Sequence, residues 1–285
     1  MMKNGNKTLQ VWLWVWLWKW LALLAAVLPA LPANAAAFDH SHGAWTALTA
    51  KHVQRISGGA ASQVRYAGFM QDRAALKAYL DALSAVPRSE FDVWSSPQRM
   101  AFLMNAYNAY TVELILTKYP DLQSIKELGN LLQTPWKKKF FTLLGGEMSL
   151  DGIEQDMLRK RGAYDDPRLH FAVNCASIGG PMLREEAFVA ERLDAQLDQQ
   201  AERFLSDRSR NRYSTANGRL EVSKIFEWYG DDFKLGHKGI KDSTSLFARY
   251  AHKLSDVPAE QEKIKAQTAP VSFLEYDWRL NDVKR

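Results

Sequence analysis

One stretch of the chain, from Pro97 to about Tyr119, limits the fold more than any other feature. Apolar side chains fill nearly every position of this stretch, and Pro120 follows it. Ser95 and Ser96 supply a cap residue ahead of the proline at the first helical position, so the pattern predicts one long helix. A helix that is apolar on every side is buried, and the rest of the chain must therefore fold around it.

Two amides interrupt this apolar surface. Asn105 and Asn108 stand three residues apart, which places them on one face of the helix. A buried side-chain amide without partners costs about 1–3 kcal/mol, so both amides require polar neighbours. Two interpretations are open: the pair fixes a loop or a strand end, or it lines a site.

The remaining segments mix helices with short strands. Helices are predicted over 39–55, 72–86, 151–159, 190–204, 223–233 and 243–254, and strands over 64–66, 139–144, 147–150, 169–173, 212–215, 219–222 and 271–276. Strands and helices do not alternate regularly. The pattern therefore predicts an α+β fold, in which mixed helices pack with a small, mostly antiparallel sheet.

The first 35 residues have the composition of a secretory signal peptide. Two lysines stand near the start, an apolar run covers 11–31, and the sequence Pro-Ala-Asn-Ala ends at Ala35. We expect cleavage after Ala35, with a second candidate site at Ala37. The alternative is a retained membrane anchor, because the run approaches the roughly 20 residues that a spanning helix needs.

Residues 36–285 are predicted to form a single domain that is periplasmic or secreted. Loss of the leader, which has three lysines and no acid, lowers the formal charge from +5 to about +2. This small charge gives no reason to expect a nucleic-acid partner, and the basic run at 137–139 is typical of a solvated strand edge. We expect no stable membrane insertion after cleavage.

Cys175 is the only cysteine. One cysteine forms no internal disulfide, so the core alone must hold the fold together. An unpaired thiol in an oxidising compartment is prone to oxidation unless it is buried or has a use. Cys175 is therefore either a small buried side chain or a reactive group.

The neighbours of Cys175 in the sequence are compatible with a reactive thiol, although a small buried side chain is the commoner role of a lone cysteine. Cys175 follows the predicted strand 169–173 and precedes Gly179-Gly180-Pro181. At a strand end, backbone N–H groups can converge on the sulfur, which would lower the pKa of the thiol and bind an oxyanion. His170 is the nearest candidate base, but its odd spacing from Cys175 along a strand puts the two side chains on opposite faces unless the chain bends near Asn174.

Other assignments of the polar residues stay open. His170 can be a core or strand-end histidine, and His237 and His252 are the other candidate bases. No second cysteine exists and no histidine pair has ligand spacing, so we expect neither a metal nor another cofactor. Asp151 and Glu154 form the D-x-x-E pattern of a helix start, in which the acid reaches back to backbone N–H.

A dense patch of charged and aromatic side chains follows the second predicted hairpin. It comprises Lys224, Trp228, Tyr229, Asp231 and Asp232. Such a mixture at helical spacing is more typical of a core with a polar rim than of a binding groove.

Four ordered blocks of the sequence resemble the domain-of-unknown-function 547 family, found in bacterial exported proteins and in plant proteins. The blocks are 104–109, 152–154, 166–177 and 223–226, within a family-like core of about 89–233 and followed by a C-terminal strand at about 271–281. Two positions depart from the family pattern. Gln155 stands where the family commonly has histidine, and Gly180 stands where it commonly has a second cysteine before proline.

The resemblance implies one shared site. It groups Asn105, Asn108, Glu154, His170, Asn174 and Cys175, although the family has no assigned reaction. The leading hypothesis is an exported cysteine-dependent hydrolase or acyl-transferase, distantly like papain or transglutaminase, that acts on an amide in an envelope peptide or protein.

In this hypothesis Cys175 is the nucleophile, His170 is its base, and Glu154 or an asparagine orients that base. Asn174 or nearby backbone N–H groups bind the oxyanion. The residues assigned to substrate binding or orientation are Asn105, Asn108, Asn174, Ser177 and Lys224. The competing hypothesis is a non-catalytic envelope binding domain, in which these polar residues form a structural network and Cys175 belongs to the core.

Overall fold

The computed structural model describes residues 37–130 and 132–283 of the chain. The predicted leader therefore lies outside the described residues. Within these ranges no helix is long and apolar enough to cross a membrane.

The described residues form an α+β fold, as predicted. The α-helices are α1 (Gly43–His52), α2 (Tyr66–Gln71), α3 (Arg73–Ala85), α4 (Arg88–Val93), α5 (Ser96–Leu116), α6 (Leu150–Ile153), α7 (Leu193–Ser206), α8 (Ile225–Trp228), α9 (Ser243–Arg249), α10 (Ala251–Leu254) and α11 (Pro258–Lys265). The strands are β1 (Val53–Ile56), β2 (Ala61–Val64), β3 (Phe141–Leu143), β4 (Gly146–Met148), β5 (Arg212–Ser214), β6 (Arg219–Val222) and β7 (Val271–Phe273).

The predicted long apolar helix is confirmed as α5. Its start is a capping box: Ser95 Oγ accepts from the N–H of Gln98, and the Gln98 side chain accepts from the N–H of Ser95 at 2.9 Å. From residue 100 to residue 116 every side chain except Glu113 is buried. Helices α2 and α3 pack against α5. Helix α5 is apolar on nearly every side because other parts of the fold cover it.

The strands make three small sheets, where the sequence led us to expect one. β1 pairs with β2, and β3 pairs with β4, both antiparallel. β5 and β6 form the predicted antiparallel hairpin, and β7 adds to β6 in parallel. The turn between β3 and β4 uses Leu144 and Gly145, both with positive φ, and glycine adopts that conformation without steric cost.

The strand predicted over 169–173 is wrong. Residues Pro167–Phe171 form a 3-10 helix, and the Asp166 side chain caps it by accepting from the N–H of Arg168 at 3.0 Å. A cap residue followed by proline favours a helical turn over an extended strand. The alternation of faces along a strand therefore does not apply to His170 and Cys175.

The other corrections concern boundaries, where pairing with distant segments overrides local propensity. The first helix ends at His52, β2 is complete at Val64, the 223–233 segment divides into α8 and a 3-10 turn at Asp232–Lys234, the 243–254 helix breaks at Tyr250, and the last strand ends at Phe273. The basic run at 137–139 is exposed but lies ahead of β3 and not on a strand edge. Helices α2, α4 and α11 and strand β1 were not predicted.

The chain after β7 crosses back over the segment that follows Cys175. We call residues 276–281 the C-terminal strap. Its carbonyl groups at Asp277 and Arg279 accept from the N–H groups of Gly179 (2.8 Å) and Ile178 (2.9 Å). These main-chain bonds fix the strap directly beside residues 174–181, which we call the cysteine loop. They determine which side chains meet the sulfur.

Candidate functional site

A pocket of about 340 Å³ opens beside the cysteine loop. Its volume lies within the roughly 300–1,000 Å³ typical of small-molecule sites. The residues that line it are Tyr107, Thr134, Trp136, Lys137, Asp151, Glu154, Gln155, His170, Val173, Cys175, Pro181, Ile225, Trp228, Tyr229, Tyr276 and Trp278. The three residues predicted to be catalytic, Cys175, His170 and Glu154, thus share one pocket.

The sulfur of Cys175 lies between two hydroxyl groups. It is 2.9 Å from Tyr276 Oη, supplied by the C-terminal strap, and 3.1 Å from Ser177 Oγ. The two hydroxyl oxygens are 2.8 Å apart. These contacts exclude the simple interpretation that Cys175 is a thiol packed only among aliphatic side chains.

The expected lowering of the thiol pKa is wrong. Burial raises the pKa of Cys175, and the Glu154 carboxylate adds to the rise, while the hydrogen bonds from Ser177 and Tyr276 oppose it. Burial wins because it removes the water that would solvate a thiolate. At neutral pH the group is therefore a thiol, which needs a base before it can act as a nucleophile.

His170 is buried and held by a carboxylate that the sequence hypothesis did not assign to it. Its Nε2 is 2.7 Å from Oδ2 of Asp232, and its ring stacks on Tyr229 with the centroids 3.9 Å apart. The other ring nitrogen, Nδ1, is buried and has no hydrogen-bond partner among the described residues. The imidazole is thus fixed through one nitrogen and unpaired at the other.

Asp232 also binds Arg159, whose Nε is 2.6 Å from Oδ2 of the carboxylate. Although burial alone would raise it, the hydrogen bonds from His170 and Arg159 hold the pKa of Asp232 well below its usual range. The residue is therefore a permanent anion beside the imidazole. Asp232 belonged to the mixed patch in the sequence, but spacing alone gave no reason to pair it with His170, 62 residues away.

Glu154 is hydrogen-bonded to a tyrosine, whereas the sequence suggested a backbone N–H group at the helix start or His170 as its partner. Its Oε1 accepts from the hydroxyl of Tyr229 at 2.8 Å. The cap of α6 is Ser149, whose Oγ accepts from the N–H of Gly152 at 3.0 Å, so Glu154 does not fill the helix-start role. Burial and the nearby Glu154 raise the pKa of Tyr107 and of Tyr229, which therefore remain neutral O–H donors.

The two asparagines of α5 hold loops in place. Asn105 donates to the carbonyl of Phe188 at 2.7 Å and accepts from its N–H at 2.9 Å. Asn108 donates to the carbonyl of Ala172 at 3.0 Å and accepts from the N–H of Asn174 at 2.8 Å. Neither side chain lines the pocket, so the geometry fits the loop-fixing interpretation left open by the sequence.

Asn174 closes the cysteine loop on itself. Its Nδ2 donates to the carbonyl of Pro181 at 2.7 Å, and its Oδ1 accepts from the N–H of Ala176 at 3.0 Å. The side chain is buried and does not line the pocket. Lys224 also lies outside the lining, with its Nζ 3.7 Å from Glu275 Oε1. Ser177 remains at the site through its contact with the sulfur.

The remaining candidate bases are elsewhere. His237 has its Nε2 3.3 Å from Asp166 Oδ2, and neither it nor His252 lines the pocket. Among the described residues, no group of three or more histidine, cysteine, aspartate or glutamate side chains has a geometry that could hold a metal ion. His170 is thus the histidine that accompanies the thiol, although no hydrogen bond joins the two side chains.

Four aromatic side chains surround the mouth of the pocket, and we call them the aromatic rim: Trp136, Trp228, Tyr276 and Trp278. Trp278 stacks on Trp228 with centroids 5.8 Å apart and meets Trp136 edge-on at 5.6 Å. Tyr276 contacts both Trp228 (4.9 Å) and Trp278 (4.4 Å). Of these four, the sequence hypothesis singled out only Trp228, because tryptophan has no local pattern that predicts a binding site.

Fold and site together define an α+β domain with a thiol and a carboxylate-bound imidazole in an aromatic-rimmed pocket. Residues 91–205 match the model of the family described as "Protein of unknown function, DUF547", the family that the four sequence blocks resemble. No curated protein and no solved structure matches the chain. The matched range contains Glu154, His170 and Cys175, whereas Asp232 and the C-terminal strap lie beyond it.

Both departures from the family pattern fall at this pocket. Gln155 lines it, and its side-chain oxygen accepts from Arg159. Gly180 lies beside the thiol: a Cβ at this position would be 3.0 Å from the sulfur of Cys175 and 2.8 Å from the hydroxyl of Tyr276. Glycine at this position therefore leaves room for the side chains of Cys175, Ser177 and Tyr276.

Proposed function

We propose that this pocket is the active site of a cysteine-dependent hydrolase or acyl-transferase whose substrate is an amide in an envelope peptide or protein. The observation that carries the proposal is the state of His170. Its Nε2 is held by a permanent anion, and its buried Nδ1 has no partner, in the same pocket as the only thiol of the chain. A nucleophile, a base and a carboxylate that orients the base are the three groups that acyl transfer uses, and Cys175, His170 and Asp232 can supply them.

In the proposed reaction the imidazole of His170 takes the proton of Cys175 as the sulfur attacks the carbonyl carbon of the amide. The C–N bond then breaks, and the imidazolium gives that proton to the leaving amine. Water hydrolyses the resulting thioester in a hydrolase, and an amine attacks it in a transferase. Asp232 stabilises the imidazolium throughout, because it stays ionised.

The donor to the developing oxyanion is proposed to be Tyr276. The side chain of Asn174 is already committed to the cysteine loop, whereas the Tyr276 hydroxyl lies 2.9 Å from the sulfur and stays protonated because burial raises its pKa. A neutral O–H in that position can donate to an anion that forms next to the sulfur.

Acyl transfer can be measured without knowing the natural substrate. We expect p-nitrophenyl acetate to place one acetyl group on Cys175, detected by intact mass spectrometry after an acid quench. Cys175→Ala should abolish the acetylation, and His170→Ala should slow it at least ~100-fold, the lower end of the usual contribution of a general base. Asp232→Asn should also slow it, because the imidazolium loses its partner.

His237→Ala is the matched control, since it removes a partly buried histidine that binds a carboxylate outside the pocket. It should acetylate at the wild-type rate. An acetylation rate that is unaffected by His170→Ala, or no faster than that of free cysteine at the same pH, would refute the proposal.

The second candidate is a non-catalytic envelope binding domain. The observation that favours it is the structural use of Asn105, Asn108 and Asn174, whose side chains hold loops and not the pocket. This candidate predicts that Cys175→Ser complements a deletion strain fully and changes only the unfolding temperature. A folded Cys175→Ser protein that fails to complement contradicts it.

A further inference from the structure

The aromatic rim leaves apolar surface open to water at the mouth of the pocket. Trp228 is 45% exposed, and Trp136, Tyr276 and Trp278 are half-buried. Aromatic side chains contribute much of their binding energy by removing such surface from water. The rim therefore presents flat, contiguous faces on which a ring of matching size can stack.

The charges around the rim select against ionic ligands. A cation would meet Lys137 in the lining and Lys126, whose Nζ already lies over the Trp278 ring, 4.0 Å from its centroid. An anion would meet Asp151 and Glu154, which already repel each other: burial and Glu154 raise the pKa of Asp151. Charges of both signs thus make a neutral ligand the best complement to the pocket.

The polar part of the lining is suited to hydroxyl groups. Carboxylates such as Asp151 and Glu154 only accept hydrogen bonds, Lys137 only donates, and the amide of Gln155 does both. A hydroxyl group donates and accepts, so a ring that bears several hydroxyls can use all of these side chains. A sugar ring combines such hydroxyls with a C–H face that packs on indole.

We propose that the aromatic rim binds a neutral saccharide that carries an amide, so that the sugar ring stacks on Trp228 and Trp278 while its amide lies toward Cys175. The placement of the amide rests on the proposed function, whereas the binding of the ring does not. The substrate class is then a glycopeptide of the envelope.

Binding is best measured in the Cys175→Ala protein, which cannot perform the proposed chemistry. Titration with chitotriose should change the tryptophan fluorescence with saturation, and cellotriose, which has the same rings without the amides, should bind more weakly. Trp228→Ala and Trp278→Ala should each weaken chitotriose binding about tenfold or more, the factor that corresponds to about 1.4 kcal/mol. Trp94→Phe, a partly exposed tryptophan outside the pocket, should leave the affinity unchanged.

Circular dichroism of each variant checks that the fold is retained, and the exposure of Trp228 makes unfolding by its replacement unexpected. Saturable binding of tetraethylammonium or of a tryptophan-containing dipeptide, with none of either saccharide, would overturn the inference, as would the absence of any binding. If the protein binds the saccharide but its acetylation does not depend on His170, the saccharide site is supported and the proposed hydrolase is rejected.

Discussion

At the scale of the residue, the most informative position is Gly180, because its missing side chain leaves the thiol free. A Cβ placed there lies 3.0 Å from the sulfur of Cys175. In a disulfide with an S–S bond near 2.0 Å, the Cβ of one cysteine lies at about this distance from the sulfur of the other cysteine. The second cysteine of the family pattern would thus meet Cys175, whereas this chain keeps a single thiol.

Gly180→Cys is therefore expected to form a disulfide with Cys175 when oxidised glutathione accepts the two electrons and two protons of the thiols. Thiol titration should find no free thiol in the oxidised variant and two after reduction, and acetylation of Cys175 should return with reduction. The Tyr276 hydroxyl must shift slightly, since it lies 2.8 Å from the new Cβ. Gly180→Ser is the control with a comparable volume and no sulfur; two titratable thiols in oxidised Gly180→Cys would contradict the geometry.

Local sequence signals gave little information on the contacts of the site, because most of these contacts join residues that are far apart in the chain. The family resemblance, and not their spacing, grouped Cys175, His170 and Glu154, together with three asparagines whose side chains do not line the pocket. Asp232 was missed as the partner of His170 because 62 residues separate them, and Tyr276 was missed because it meets the sulfur across 101. No periodicity reports such contacts, since they depend on how whole elements pack.

At the scale of the element, the C-terminal strap is part of the candidate site although it lies outside the matched family range. Its main chain pairs with Ile178 and Gly179, and its first residue carries a hydroxyl to the sulfur of Cys175. Through this hydroxyl group, the C-terminal strap affects how readily the thiol of Cys175 ionises.

Tyr276→Phe should raise the pKa of Cys175 further, because it removes a hydrogen bond that stabilises the thiolate. Since a thiolate, not a thiol, reacts with iodoacetamide, the rate should rise with pH in both proteins, and the variant should require a higher pH for the same rate. At a fixed pH below both pKa values, the variant should react up to about tenfold more slowly, as expected for loss of one hydrogen bond to a charged group, about 1.5 kcal/mol. Tyr250→Phe, half-buried outside the pocket, is the control; a faster reaction of Tyr276→Phe would show that the hydroxyl shields the sulfur instead.

The helices and strands also differ in how well local sequence predicts them. Helix α5 and the hairpins β3–β4 and β5–β6 were predictable because capping residues, periodicity and turn glycines lie inside them. The 3-10 helix at Pro167–Phe171 was not, because an apolar run of five residues fits a strand as well as a buried turn. Such a run does not by itself distinguish a strand from a helical turn. The capping residue Asp166, which precedes a proline, is the signal that indicates the turn.

At the scale of the whole molecule, the site is assembled from segments spread over more than half of the chain, from Tyr107 on α5 to Trp278 on the strap. One thiol without a disulfide partner is compatible with an oxidising compartment only if the fold protects it. Cys175 is only partly exposed and its pKa is raised, and both features slow oxidation because oxidation proceeds through the thiolate. Such a thiol would resist oxidation if the chain is exported, as the sequence predicts.

Export gives a prediction for the complete chain. Expressed with its leader in a bacterial host, the protein should appear in the periplasm or medium with Ala36 as its first residue, because the small residues at 33–35 fit signal peptidase. Mass spectrometry of the intact protein would measure this, and replacing Ala35 with a bulky residue such as Phe should move cleavage to the site after Ala37 or block it. A full-length mass in the membrane fraction of the unaltered protein would instead identify the apolar run as a retained anchor, the alternative that the length of this run left open.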